Sequence, residues 1–176
     1  MNLTRIDPYD KHGALRVVVE SPRGASLKFA YQPSLELFAV ARALPLGVVY
    51  PYDWGFVPGT RGDDGDPLDA MVLHDFASSP GVLLTCRILG MVKVVQREGA
   101  AKPEINNRII ATPAWHSPLE PFADARDLPT AARVQLERFF VTAAEMTGKR
   151  VNIKGWASSK AAGRFIERNL LRSSGG

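Results

Sequence analysis

The feature that most constrains the fold is a succession of short apolar runs separated by turns rich in proline and glycine. Such runs favour β-strands, because they are rich in β-branched and aromatic residues and are bounded by turn formers. The runs at 27–33 and 35–42 are expected to pair as a hairpin that bends at Pro33 and Ser34. The predicted strands lie at 14–22, 27–33, 35–42, 67–76, 81–96 and 106–115.

The later part of the chain has apolar residues at helical intervals instead. Residues 128–146 and 158–172 predict two α-helices. Thr130, which follows a proline, is expected to cap the first helix, and Ser158 or Ser159 is expected to cap the second. The closing residues, "RSSGG", are expected to form a frayed tail.

The order of these elements predicts the fold class. Strands followed by helices, with neither a repeat nor a linker, predict a single domain over residues 1–176. The fold class is mainly β (α+β), a small β-barrel or curled sheet with the helices on one side. The composition agrees, since 45% hydrophobic and 23% charged residues are ordinary for a globular chain.

Composition also restricts the compartment and the partners. Cys86 is the only cysteine, so no internal disulfide can form, which suits a reducing cytosol. The N-terminus lacks the apolar core of a signal peptide, and no apolar run approaches the roughly 18 residues that cross a membrane. We therefore expect a cytoplasmic protein without a membrane partner. Its net charge of +4, carried mostly by arginine, permits an anionic ligand.

An acidic turn is the strongest chemical signal. Asp63, Asp64, Asp66 and Asp69 fall within seven positions, where like charges repel and raise each other's pKa. A divalent cation is the ordinary way to hold such carboxylates together, and hard cations such as Mg²⁺ prefer oxygen ligands. Glycine within the turn permits a tight bend, and Pro67 stiffens the entry to the next strand. The turn therefore predicts a site for Mg²⁺ or Mn²⁺, and a merely solvated acidic turn stays open as the alternative.

These segments resemble a known family. The stretch "DGDPLD" after "YPYDWGFVPGT" is similar to the signature of the soluble family I inorganic pyrophosphatases. Five further segments resemble that family in the same order along the chain: "VVVESP", "LKF", "ELFAVAR", "CRILGMVKV" and "RFF…KGW". The resemblance implies a closed, OB-like barrel of five strands with two flanking helices. It also implies Mg²⁺-dependent hydrolysis of pyrophosphate to two phosphates, by a homo-oligomer that is a hexamer or a dimer.

The resemblance also implies residue roles. The residues that bind metal or orient the nucleophilic water would be Asp64, Asp66 and Asp69, with Glu20 as a further metal ligand. The groups that bind pyrophosphate or phosphate would be Lys28, Arg42, Tyr50 and Arg108. Arg108 stands where the family has a lysine on the phosphate side.

At six positions the chain departs from the family pattern. Carboxylates are replaced by Ala30, Gln96 and Asn106, a tyrosine by Trp54, and an adjacent tyrosine and lysine by Ala143 and Ala144. Because one hydrogen bond to a charged group contributes about 1.5–3 kcal/mol, these losses predict reduced or altered activity. Three glutamates that could compensate are Glu98, Glu104 and Glu145.

Three functions remain open at this point. The first is a working but altered metal-dependent diphosphatase. The second is a catalytically impaired relative that binds phosphate and metal or partners an active enzyme. The third is a basic barrel that binds nucleic acid through its charge. The third has the least support, because no strand combines aromatic and basic residues for base stacking.

Overall fold

The computed structural model describes residues 2–76, 78–115, 122–145 and 147–171. Within those residues it contains nine β-strands and two α-helices. The strands are β1 (Leu15–Ser21), β2 (Leu27–Gln32), β3 (Leu37–Ala43), β4 (Asp53–Val57), β5 (Leu68–Val72), β6 (Leu83–Glu98), β7 (Glu104–Ile105), β8 (Arg108–Pro113) and β9 (Lys149–Ser158). The helices are α1 (Thr130–Glu145), between β8 and β9, and α2 (Ser159–Arg168), after β9.

Five strands close into a ring. The sheet runs β1-β4-β5-β8-β6, and β6 also pairs with β1, which joins the two ends. Every pairing in the ring is antiparallel except that of β5 with β8, which is parallel. The two remaining strands of this sheet, β7 and β9, pair with the long strand β6. The expected mainly β fold, with five strands in a closed arrangement and two helices, is confirmed.

The ring has two apolar faces, because side chains alternate along a strand. Leu68, Ala70 and Val72 of β5 join a core cluster to which all five ring strands contribute, and Ile166 of α2 packs into it. Met71, between them in sequence, joins a second cluster that includes Phe140 of α1. Each helix therefore covers its own side of the sheet.

The strands β2 and β3 form the predicted hairpin, as a separate two-stranded sheet. Their register places Lys28 opposite Arg42. Side chains at the end of β1 hold the hairpin, since Phe29 N donates to Ser21 Oγ over 3.0 Å and Tyr31 N donates to Glu20 Oε1 over 2.9 Å. The two basic residues are thereby presented together, next to the end of the ring.

Some expectations need correction. The pattern of apolar runs predicted none of β4, β7 and β9 as a strand. Thr130 was expected to cap α1, but it is the first helical residue, and the carbonyl of Pro129 accepts the first helical hydrogen bond, from Arg133 N, over 3.0 Å. Ser158 caps α2 as expected, because its Oγ accepts from Ala161 N over 3.2 Å. The predicted tail, 172–176, lies outside the described residues.

The described helices also bear on the membrane prediction. None of those within residues 2–76, 78–115, 122–145 and 147–171 is long and apolar enough to cross a bilayer.

Gly55 provides a test of the ring. It pairs with Val19 of β1, and a Cβ added to it would lie 1.9 Å from the carbonyl oxygen of Val18. Gly55→Ala is expected to lower the free energy of unfolding by about 3 kcal/mol, the upper end of what overpacking costs. Gly163→Ala is the matched control, because a Cβ there meets nothing within 4 Å. In the middle of α2 it should stabilise the protein by roughly 0.5–1 kcal/mol. Urea denaturation measures both, and equal stability of the two variants would contradict this account.

Candidate active site

A cavity of about 160 Å³ lies where the ring, the hairpin and α1 meet. Side chains from the acidic turn, α1 and seven of the nine described strands line it. Seven of the eight residues predicted for the site are in this lining: Lys28, Arg42, Tyr50, Asp64, Asp66, Asp69 and Arg108. Five of the six departures from the family pattern line it too: Trp54, Gln96, Asn106, Ala143 and Ala144.

The acidic turn is held by its own backbone. Gly62 N donates to the carbonyl of Asp66 over 2.7 Å, and Asp66 N donates to Asp64 Oδ1 over 3.2 Å. Gly65 has a φ of 87°, which a residue with a side chain rarely adopts. Thr60 Oγ1 then accepts from Leu68 N over 3.0 Å, at the start of β5. Short-range bonds therefore fix the chain on both sides of Asp66.

Arg108 is the centre of a polar network in the cavity. Its guanidinium forms an ion pair with Asp69 and donates to Asn106 Oδ1. It also lies 3.5 Å from Gln96 Oε1. Asn106 extends the network to the acidic turn, because its Nδ2 donates to Asp64 Oδ2 over 2.8 Å. The two amides that replace family carboxylates are thus bonded to a cation, and one of them is also bonded to an acid of the turn.

Burial shifts the pKa of several groups around the cavity. It lowers the pKa of Arg108 to about 10, against the opposing effect of Asp64, so Arg108 stays positively charged at neutral pH. Burial also lowers the pKa of Lys28, although Glu20 opposes this, and it raises the pKa of Tyr50. Each shift disfavours a charged form that has lost water, so a bound anion would restore a favourable partner to Lys28.

Glu20 is the one predicted site residue outside the cavity lining. Its Oε1 accepts from Tyr31 N over 2.9 Å, so it helps to fasten the hairpin. Burial raises the pKa of Glu20, and the negative charge of Asp66 raises it further, while the Tyr31 hydrogen bond and Lys28 lower it. Glu20 is therefore close enough to Asp66 and Lys28 for their charges to act on it.

Arg42 connects the hairpin to the helix. Its Nη2 donates to the carbonyl of Ala143, near the end of α1, over 2.9 Å. Its Nη1 is buried, and within the described part of the chain it has no hydrogen-bond partner. Arg42 thus closes one end of the cavity and keeps a donor available there.

The wall of the cavity that α1 forms is apolar. It consists of Phe139, Phe140, Ala143 and Ala144, all on α1. Phe139 packs edge-on against Tyr50, with ring centroids 5.3 Å apart, and Phe140 packs against Trp54, with centroids 6.0 Å apart. The two alanines offer no side-chain donor to a ligand. The departures from the family pattern therefore gather on this wall and beside Arg108.

The glutamates proposed as substitutes lie elsewhere. Glu98 and Glu104 are exposed and line a neighbouring hollow together with Lys102. That hollow shares Gln96 and Lys149 with the main cavity. Compensation by these glutamates stays a prediction. The side chain of Glu145 lies outside what the structure describes.

The donor chemistry of the cavity decides whether a metal ion fits there. Among the described residues, no three Asp, Glu, His or Cys side chains converge closely enough to hold a metal ion by themselves. Asp64, Asp66 and Asp69 nevertheless face one cavity. Mg²⁺ commonly takes only one or two carboxylates and fills its other positions with water and substrate phosphate. The residues present therefore fit a cation held partly by its substrate.

Comparison with known proteins decides the family. The family profile described as inorganic pyrophosphatase matches residues 17–173. The chain belongs to the inorganic pyrophosphatase family. An inorganic pyrophosphatase from Synechocystis sp. is 33% identical over 167 residues, which are 95% of this chain and 96% of the relative. One from Thermus thermophilus is 32% identical over 164 residues, which are 92% of this chain and 91% of the relative.

Solved structures of the inorganic pyrophosphatase family share the fold. The crystal structure of the inorganic pyrophosphatase from Thermus thermophilus superposes with a TM-score of 0.88 at 31% identity, covering 99% of this chain and 100% of that one. The enzyme from Neisseria gonorrhoeae superposes with a TM-score of 0.84 at 26% identity, covering 97% and 98%. The resemblance drawn from the sequence motifs is confirmed.

Sequence reasoning missed Lys149 as a cavity residue in this member of the inorganic pyrophosphatase family. It lies at the start of β9 and lines the cavity. Its charge is one of those that lower the pKa of Lys28. A lysine after a turn glycine carries no signal of its own in a single sequence, so only the pairing of β9 with β6 places it at the site.

The raised pKa of Glu20 predicts how stability depends on pH. Below the ordinary pKa of a glutamate, about 4.3, Glu20 is protonated in both the folded and the unfolded chain. Its carboxyl group then does not lower the free energy of unfolding. Above its folded-state pKa the carboxylate is ionised and destabilises the fold. Glu20→Gln is therefore expected to raise the Tm of the metal-free protein at pH 7. This gain in Tm should vanish as the pH falls below about 4.3, the ordinary pKa of a glutamate.

Thermal denaturation in the presence of a chelator, at pH 7 and at a pH below about 4.3, measures the Tm difference between Glu20→Gln and the wild type. Glu104→Gln is the matched control, because it removes the charge of an exposed glutamate. An equal gain at both pH values would show that the amide stabilises Glu20's position for some reason other than charge.

Proposed function

We propose that this chain hydrolyses inorganic pyrophosphate to two phosphates with a divalent cation, Mg²⁺ or Mn²⁺. The observation that carries the proposal is that acidic residues and basic residues line one small cavity. Asp64 and Asp66 are on the acidic turn, while Lys28, Arg42 and Lys149 reach the cavity from the hairpin and β9. A substrate with two linked phosphoryl groups and a cation between the substrate and the protein requires both kinds of residue.

The basic residues are proposed to bind the phosphoryl groups. Lys28 is a partly desolvated ammonium, which gains from an anionic partner. Arg42 has a buried Nη1 without a partner among the described residues, and a guanidinium can bind phosphate through two parallel hydrogen bonds. Because Lys28 and Arg42 are opposite each other in the hairpin, they would hold the substrate from one side.

The acidic turn is proposed to bind the cation and to position water. Asp64 and Asp66 would hold the ion, and Asp66 would orient the attacking water. The carboxylate of Asp66 is exposed and forms no ion pair with a described residue, so it is free for this role. When bound, the metal would neutralise charge on the phosphoryl oxygens and make a water molecule more nucleophilic.

The function of Asp66 gives a direct test. Phosphate release from pyrophosphate is measured with Mg²⁺, with Mn²⁺ and with a chelator. Wild-type protein should release phosphate only with a metal. Asp66→Asn should lower kcat about 10²-fold or more, as expected for the loss of a carboxylate that orients the attacking water and can accept its proton. Asp63→Asn is the matched control, because Asp63 is an exposed neighbour outside the cavity lining, and its variant should keep the wild-type rate.

Two outcomes would overturn the proposal. One is the absence of metal-dependent phosphate release by the wild-type protein. The other is an equal loss of rate in both variants, because it would mean that the charge of the turn matters and not the position of Asp66.

A second candidate is a catalytically impaired protein that binds phosphate and metal without turnover. The apolar wall favours it, since Ala143 and Ala144 offer no donor to the phosphoryl group. This candidate would be selected if calorimetry shows phosphate binding while the assay above shows no release of phosphate from pyrophosphate.

The oligomeric state stays a prediction. The exposed apolar side chains Leu35, Leu37 and Val40, on and beside β3, support it.

The apolar wall predicts a low wild-type rate that can be raised. Ala143→Tyr with Ala144→Lys would add a hydroxyl and an ammonium to the lining of the cavity. If one such group stabilises the transition state, a gain of about 1.5 kcal/mol corresponds to roughly a tenfold rise in kcat. Ala131→Lys, on the exposed first turn of the same helix, is the control for added charge. A doubly substituted enzyme no faster than this control would show that the wall does not limit the rate.

A further inference from the structure

The position of Arg108 limits which carboxylates can bind metal. Asp69 was predicted as a metal ligand, yet its carboxylate is in an ion pair with the Arg108 guanidinium. The Arg108 side chain is only 11% exposed and that of Asp69 24% exposed, so neither is freely solvated. The guanidinium also lies 5.3 Å from the centre of the Trp54 ring, which covers it. The pair is therefore built into the wall of the cavity.

The two amides in this wall are oriented by the same guanidinium. An arginine can only donate hydrogen bonds, so Asn106 and Gln96 must both present their oxygen atoms to Arg108. The nitrogen of Asn106 consequently faces Asp64, to which it donates over 2.8 Å. An oxygen of Asp64 that accepts this bond has one lone pair fewer for a cation.

The other amide nitrogen has a different environment. Gln96 Nε2 is buried and has no hydrogen-bond partner among the described residues. An amide N–H₂ donates to anions and cannot ligate a metal ion. With carboxylates at positions 96 and 106, this wall would attract cations. With these amides around a guanidinium, it presents donors and a fixed positive charge.

We propose that Arg108 takes the place of a divalent cation in this site, with Asp69 as its counter-ion. This inference rests on the proposed function, which it refines. The fixed charge neutralises Asp69 and faces the phosphoryl groups of the substrate. Metal binding is confined to the part of the cavity around Asp64 and Asp66. The chain therefore binds fewer divalent cations than its carboxylates alone would hold.

The experiment counts metal ions without turnover. Mn²⁺ binding is measured by electron paramagnetic resonance of the free ion and by calorimetry, at constant ionic strength and without pyrophosphate. Arg108→Met removes the charge and releases Asp69. We expect this variant to bind one additional Mn²⁺ per chain, or to bind Mn²⁺ with a Kd at least tenfold lower than the wild type. Arg97→Met is the matched control, because Arg97 is exposed on β6 and its loss changes the net charge equally.

A double variant keeps the test decisive if Arg108→Met does not fold. Arg108→Met with Asp69→Asn removes both charges, which a folded protein tolerates better than one unpaired buried charge. If the Asp69 carboxylate is already paired with Arg108 in the wild type, this double variant should bind as many Mn²⁺ ions as the wild type. Its Kd for Mn²⁺ should be within about threefold of the wild-type Kd. It should also lack any gain seen in Arg108→Met.

The inference is overturned by either of two results. One is that the double variant binds fewer Mn²⁺ ions than the wild type, or binds them at least tenfold more weakly, because Asp69 would then be a metal ligand in the wild type. The other is that folded Arg108→Met binds Mn²⁺ no better than Arg97→Met. Phosphate release by the wild type is measured separately. Metal-dependent hydrolysis, combined with neither an additional Mn²⁺ nor a tenfold lower Kd in Arg108→Met, would refute only the role of Arg108. Either change in Mn²⁺ binding without hydrolysis would refute only the proposed function.

Discussion

The ion pair between Arg108 and Asp69 is the interaction on which the site depends, and the parallel pairing of β5 with β8 creates it. Ala70 pairs with Ile109 in that register, so the preceding residue of each strand lies beside the other. The two side chains reach the cavity from adjacent strands of the ring. Because the pair is largely buried, removing one partner alone would cost about 3–5 kcal/mol. The pairing of β5 with β8 and the arrangement of the site are therefore coupled.

The network around this pair explains how the chain can lack several family carboxylates and keep a coherent site. Gln96 and Asn106 are held by Arg108, and Asn106 extends the network to Asp64. On the other side, Arg42 is bonded to the end of α1 through the carbonyl of Ala143. In the cavity lining, the acidic side chains come from the acidic turn and β5, and the basic side chains come from β2, β3, β8 and β9. The apolar wall on α1 remains as the part with no polar replacement.

Much of the fold followed from local pattern. The predicted strands 14–22 and 81–96 contain β1 and most of β6, and the helical spacing of 128–146 contains α1. The pattern did not predict β4, because its five residues, "DWGFV", do not alternate in polarity, and all five are buried. β7 is only two residues long, and its existence depends on pairing with β6. Such strands are defined by their neighbours, so the local sequence gives little sign of them.

The sequence by itself determined the acidic turn, since glycine and proline at its centre and backbone bonds within a few residues are sufficient to shape it. It also determined which residue types were available to bind a cation and an anion. Only the tertiary structure decided how they combine. It paired Asp69 with Arg108, left Glu20 outside the cavity lining and brought Lys149 into it. These outcomes depend on strand register and on burial, both of which join residues that are distant in the sequence, and no local pattern encodes such distances.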